Sequence, residues 1–289
     1  MPMWSFTSDS SPKAWHTMNE PQGDATSAPP SLLAVFAHPD DEALASGGLL
    51  AWCATLGVQV SLLCLTHGEH GPDQRKSNLQ NATTLDVVRA RELREAAGVL
   101  GIDDVTLLHH EDGMLPWSNT EQLQADISET IARTAADVVL TFDEDGLYWH
   151  PDHIAAHERT TAAVAALTGP PALYYVTIPE GTIRAIVAHA DTVTPNVDDS
   201  VTSRTVLGVT NPDAFGTLAP RPTLALNVTK FTDRKLQAIR CHQSQLGNDA
   251  LTFLTPESAS KLLATEHYRR ANVGRQGATF LDSLAADSN

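Results

Sequence analysis

Residues 38–42 read His38-Pro39-Asp40-Asp41-Glu42, one imidazole and three carboxylates within five positions. They follow directly on the apolar run LLAVFA, residues 32–37. Charged groups beside a buried strand must be solvated, paired or bound to a cation. A second unusual stretch, DEDGLYWHPDH, covers residues 143–153. His150 and His153 stand there at i, i+3 across a predicted helix start, a spacing that shares one helix face. Taken singly, each has a bland reading. The acids can sit on the positive end of a helix dipole, and the histidines can be a solvated or capping pair. Taken together they point to a cation held by nitrogen and oxygen donors.

The elements around them decide whether the two stretches can meet. Residues 32–37, 58–65, 105–110, 137–142 and 172–178 read as apolar strands. Helical patterns over 42–57, 85–101, 120–135 and 153–167 alternate with them, with Gly57 and Gly101 as C-terminal stops and Thr120 as an opening cap. Such alternation predicts a doubly wound, Rossmann-like α/β fold, with a mostly parallel sheet and helices on both faces. Gly47 and Gly48 suit close helix–sheet packing, and Glu42 suits the helix start. A strand at 223–229 and helices at about 230–245 and 256–266 close the chain. Residues 179–222 read as an irregular insertion near the site. Residues 1–30, rich in Ser and Pro, read as a flexible extension that Trp4 and Trp15 can anchor, leaving 31–289 as one domain.

In open parallel sheets ligands bind beyond the carboxyl ends of the strands. His38, Asp41 and His153 all fall there. Two imidazoles and a carboxylate are the three-protein-ligand set of catalytic zinc, with a fourth position open for water. No thiolate stands beside them, and nitrogen and oxygen donors leave Fe2+ or Mn2+ possible as the single ion. His67, His70, His109 and His110 follow no ligand spacing. His242 is a candidate for the pocket floor.

Composition narrows the function classes. The 289 residues carry 19 basic and 35 acidic side chains, a formal net charge of −16. That disfavours nucleic acid or an anionic membrane as partner. No stretch approaches a membrane span. Cys53, Cys64 and Cys241 form no CxxC and read as reduced thiols of a cytoplasmic protein. Self-association stays open. Neither GxGxxG nor a Walker pattern is present, so a nucleotide-binding module would leave residues 38–42 unexplained.

The motifs AHPDDE and HPDH resemble those of the LmbE-like, or PIG-L, zinc-dependent de-N-acetylases, over residues 32 to at least 268. Within that group the loop at 141–153 resembles the mycothiol-type N-acetylglucosaminyl deacetylases, and KLQAIRCHQSQ and EHY (266–268) resemble their C-terminal helices. The resemblance implies hydrolysis of an N-acetyl group from a small amino-sugar conjugate. It implies His38, Asp41 and His153 as zinc ligands and Asp40 as general base. His150, as an imidazolium, and Tyr148 would stabilise the reacting carbonyl. Arg89 and Asp112 match sugar-contacting positions, and Asp152 can hold an imidazole's second nitrogen. Leu147 and Trp149 depart from the pattern, which favours glycine there. A related amidase cutting a larger acyl group, from a thiol conjugate or a natural product, is the alternative activity.

Overall fold

The computed structural model describes residues 28–75, 82–194, 204–247 and 249–287. Trp4, Trp15 and most of the expected extension lie outside these. Seven strands form one sheet in the order β3-β2-β1-β4-β5-β7-β6. The first five, β1 (Ser31–Phe36), β2 (Gln59–Thr66), β3 (Asp104–His110), β4 (Val138–Phe142) and β5 (Ala172–Thr177), run parallel. All six residues of β1 are buried, because a central parallel strand is covered on both faces.

Helices α1 (Asp41–Thr55) and α2 (Leu85–Leu100) make the crossovers from β1 to β2 to β3. Helices α3 (Thr120–Thr134) and α4 (Pro151–Ala166) follow β3 and β4. The strand order steps one way from β1 to β3 and the other way from β4 to β5. Right-handed crossovers therefore place the two helix pairs on opposite faces. The packing agrees, with α1 and α2 against each other and α3 against α4. The doubly wound reading is correct for this half.

The order reverses between β1 and β4, which pair from Leu32↔Val138 to Ala34↔Leu140. A crevice opens at such a switch point beyond the carboxyl ends of the two strands. Residues 38–42 leave one of these strands and residues 143–153 leave the other.

The C-terminal part differs from expectation. Helix α5 (Thr182–Val193) occupies part of the segment expected to be irregular. Ile183, Ile186 and Ala190 bury one face of it. The EHY motif, expected in a helix, lies in a ten-residue strand, β7 (Thr265–Gly274). β7 runs antiparallel to β5 and to the short β6 (Leu224–Asn227). Its Glu266 faces the core, where it accepts from Lys235 Nζ (2.6 Å), Tyr268 Oη (2.9 Å) and the Gly48 and Leu49 amides (both 2.8 Å). A charge at a core-facing position disguised the alternation. Helices α6 (Thr232–Cys241), α7 (Pro256–Leu262) and α8 (Phe280–Asp287) complete the chain. Asn119, rather than Thr120, caps α3, its side chain accepting from the Glu121 and Gln122 amides. At Gly48 a Cβ would stand 2.6 Å from Val228, so the α1 backbone approaches there as only glycine allows.

Candidate metal centre

The two loops at the switch point bring His38, Asp41 and His153 together. His38 Nδ1 lies 3.1 Å from His153 Nε2. Asp41 places Oδ2 3.4 Å from His38 Nδ1 and Oδ1 3.3 Å from His153 Nε2. Tetrahedral bonds of about 2.0–2.1 Å put neighbouring donors about 3.3 Å apart, so the spacing fits one small cation. All three side chains are buried.

The tautomers support the same fit. His153 Nδ1 lies 3.1 Å from the Gly146 carbonyl oxygen, which accepts a hydrogen from it. Its Nε2 then presents a lone pair. His38 Nε2 lies 3.1 Å from Asp112 Oδ1 and 3.2 Å from Asp152 Oδ2, carboxylates that take its proton side. Its Nδ1 then also presents a lone pair. Two lone pairs facing each other beside a carboxylate repel unless a cation or proton lies between them.

Electrostatics favours positive charge there. Burial disfavours a charged His38, but hydrogen bonds with Asp112, Asp152 and Asp41 outweigh it and raise its pKa well above the ordinary value. Burial holds His153 down to about 3, so that ring is neutral, the ligand form. Burial works against ionised Asp41 as well, yet His153 and His38 bring its pKa down.

Asp40 stands beside this centre and lines the same cavity. Its Oδ2 accepts from Arg89 Nη2 at 3.0 Å. Burial raises its pKa to about 7 against the pull of Arg89. Arg89 is itself buried, and donates to the Pro39 carbonyl at 2.5 Å and the Gly68 carbonyl at 2.7 Å. A side chain on Gly68 would occupy the guanidinium's place. Arg89 borders the cavity, as expected from the sequence, and its terminal nitrogens also bond within the protein. Asp112 is similar. One oxygen faces His38, and the other accepts from the His70 amide at 2.9 Å.

His150 caps α4, its Nδ1 accepting from the Asp152 amide at 3.2 Å. Nε2 is then the nitrogen that carries hydrogen. Burial and the nearby His38 lower its pKa, which favours the neutral ring in the free protein. Its centroid lies 4.8 Å from that of His38 and 4.6 Å from that of His153. Tyr148 sets its ring 5.2 Å from His153 and 4.8 Å from Phe215. Burial raises its pKa well above the ordinary value, so the hydroxyl keeps its proton. Asp152, wholly buried, also accepts from the Gly113 amide (2.8 Å) and the Leu115 amide (3.1 Å).

A cavity of about 310 Å³ opens over the centre. Leu44, Leu147, Leu207 and Phe215 give it an apolar wall, and His70 and Gln245 add polar groups. Leu207 and Phe215 come from the segment without a readable period. No spacing in the sequence marked them. His242 lies behind Glu42 and does not line the cavity. His67 and His109 stack at 4.7 Å, and His110 pairs with Asp126 at 2.9 Å.

Residues 33–164 match the family model described as PIG-L, GlcNAc-PI de-N-acetylase. A 1D-myo-inositol 2-acetamido-2-deoxy-alpha-D-glucopyranoside deacetylase of Actinosynnema mirum is 34% identical, covering 87% of this chain and 95% of the relative. The protein of the same description from Acidothermus cellulolyticus is 32% identical, covering 82% and 87%. Among solved structures, the N,N'-diacetylchitobiose deacetylase of Pyrococcus horikoshii superposes with a TM-score of 0.53 at 21% identity, over 83% of each chain. The family match spans the strands and loops that build the candidate metal centre, and the chain belongs to the PIG-L family of de-N-acetylases, hydrolases of carbon–nitrogen bonds outside peptides.

Proposed function

We propose that the protein removes the acetyl group from an N-acetylglucosaminyl conjugate, with one divalent cation, zinc by preference, held by His38, Asp41 and His153. The observation that carries this reading is the 3.1–3.4 Å spacing of the His38, Asp41 and His153 donor groups, with His38, Asp41 and Asp40 lining the cavity. The names of the relatives supply the substrate class. Iron or manganese would suit the same donors.

When bound by His38, Asp41 and His153, such an ion would polarise the amide carbonyl and make a bound water more acidic. Asp40 accepts the proton of the attacking water, since it lines the cavity next to the donor residue Asp41. His150 Nε2 and the Tyr148 hydroxyl are the donors available to the developing oxyanion. Asp40 then returns the proton to the leaving amine. Arg89 and Asp112 hold Asp40 and His38, respectively, and so act on the sugar through their neighbours. The cavity is at the small end for a ligand site, which suits one sugar ring with its attached group at the mouth.

The apolar wall favours a second reading, in which the acyl group or the attached group is larger and apolar. Acetate release from N-acetylglucosaminyl conjugates, measured beside bulkier N-acyl analogues, separates the two. The expected result is chelator-sensitive acetate release. The Asp40→Asn protein should keep its metal and lose activity by about 10²- to 10⁴-fold. Undiminished release from that protein would remove Asp40 as the base.

A further inference from the structure

Asp40 has a backbone that needs holding. Its φ is 114° and its ψ is −26°, in the region that favours glycine. A non-glycine residue persists there only where its surroundings over-determine it.

Those surroundings form a closed ring of contacts. The Asp40 amide donates to Glu42 Oε2 at 3.0 Å. The other oxygen of Glu42 lies 2.7 Å from His242 Nε2. Glu42 and His242 are both wholly buried. His242 begins a short turn after α6, and the next residue but one in that turn, Ser244, is anchored. The Ser244 amide and hydroxyl donate to the two carboxylate oxygens of Glu92, at 2.9 and 2.6 Å. Glu92 stands on α2 three residues after Arg89, on the same helix face. Arg89 returns the ring to Asp40 by bonding its carboxylate and the Pro39 carbonyl.

We propose that Glu42 and His242 are positioning residues that hold Asp40 in its strained backbone conformation and so aim its carboxylate. The proposal rests on the reading of Asp40 as the base. Burying a carboxylate and an imidazole far from solvent is unfavourable unless each is paired. Here the pair is joined to the main-chain amide of the residue that must be aimed. His242 reaches Glu42 across 200 positions of sequence, so the C-terminal part of the chain contributes to the base as well as to the sheet.

The test compares wild type with His242→Ala, His242→Gln and Ser244→Ala. A misplaced catalytic group can cost about 100-fold. His242→Ala should lower kcat about 10- to 100-fold, leave KM within about threefold and keep one metal ion per chain. His242→Gln, whose amide can donate to Glu42, should recover most of the loss. Ser244→Ala should show a smaller loss of kcat in the same direction, and serves if His242→Ala fails to fold. Crystal structures give a readout apart from activity. In the His242→Ala protein, or in Ser244→Ala if the former does not fold, Asp40 should leave its left-handed φ or lose its bond to Arg89. Wild-type kcat with Asp40 unmoved would overturn the proposal, and so would a loss of activity that only tracks loss of metal. Wild-type protein inert toward every N-acetylglucosaminide would remove the functional reading, and the Asp40 backbone would then decide the clamp alone.

Discussion

His153 Nδ1 lies 3.1 Å from the carbonyl oxygen of Gly146, seven residues earlier in the chain. That bond turns the imidazole so that Nε2 points at His38 and Asp41. Gly146 makes the carbonyl available by adopting a φ of 53° in the turn between β4 and α4. The ring also lies flat on Phe142, with centroids 3.9 Å apart. A turn and a core aromatic thus set the orientation of this imidazole, a proposed metal ligand.

Asp152 should tune metal affinity without touching the metal. It faces His38 Nε2 at 3.2 Å and is locked by the Gly113 and Leu115 amides. Partners of this kind typically contribute 10- to 100-fold to metal affinity. The Asp152→Asn protein should bind zinc about 10- to 100-fold more weakly in competition with a chromogenic chelator. Unchanged affinity would mean that Asp112 alone fixes the His38 tautomer.

Trp149 should be replaceable by glycine with little loss of stability. Its φ is 66° and its side chain is 50% exposed. A left-handed L-residue costs about 1–2 kcal/mol, while glycine's greater unfolded freedom costs about 0.5–1 kcal/mol. The Trp149→Gly protein should be as stable as wild type or up to about 1 kcal/mol more stable, by urea unfolding. A clear loss of stability would show that the indole packs in solution.

Asp249 should make stability depend on pH. It is wholly buried and ties the Thr205 and Leu207 segment to the domain, accepting from the Leu207 amide at 2.5 Å. Burial raises its pKa to about 7, against bonds from the Leu251 and Leu207 amides and the Thr205 hydroxyl. An acid with a raised folded pKa binds its proton more tightly when folded. Its contribution to stability is complete below about pH 4, the unfolded value, and is lost as pH rises through about 7. At about 1.4 kcal/mol per pH unit the loss is at most about 4 kcal/mol. Urea unfolding at pH 5 and 7.5 should show a smaller difference in Asp249→Asn than in wild type. Equal differences would exclude Asp249 as the titrating group.

Much of this site is legible in the residues themselves. Apolar runs of strand length, alternating with helical periods, predict the parallel half of the sheet. That half predicts a crevice, and His38, Asp41 and His153 fall at its edge. The parts that escaped share a physical cause. In β7 the core-facing Glu266 is satisfied by Lys235, Tyr268 and two amides, so the strand lacks an apolar alternation. In α5 the β-branched Thr182, Ile183, Ile186 and Val187 lower helix propensity, which masks a real helical period at Ile183, Ile186 and Ala190. Arg89 and Asp112 lie at the expected place, but their partners depend on where Pro39, Gly68, His70 and His38 fold, which no local pattern records. Leu147 and Trp149 both adopt a left-handed φ, a conformation that glycine takes without steric cost.

Anomalous diffraction at the zinc edge, on crystals grown with zinc, tests the central claim most directly. One peak should lie about 2.0–2.2 Å from His38 Nδ1, a carboxylate oxygen of Asp41 and His153 Nε2. His38, His150 and His153 form one group of potential donors, and His38, Asp112 and Asp152, on the opposite side of the His38 ring, form another. A peak at the latter group, bound through His38 Nε2, or no peak at either, would contradict the account.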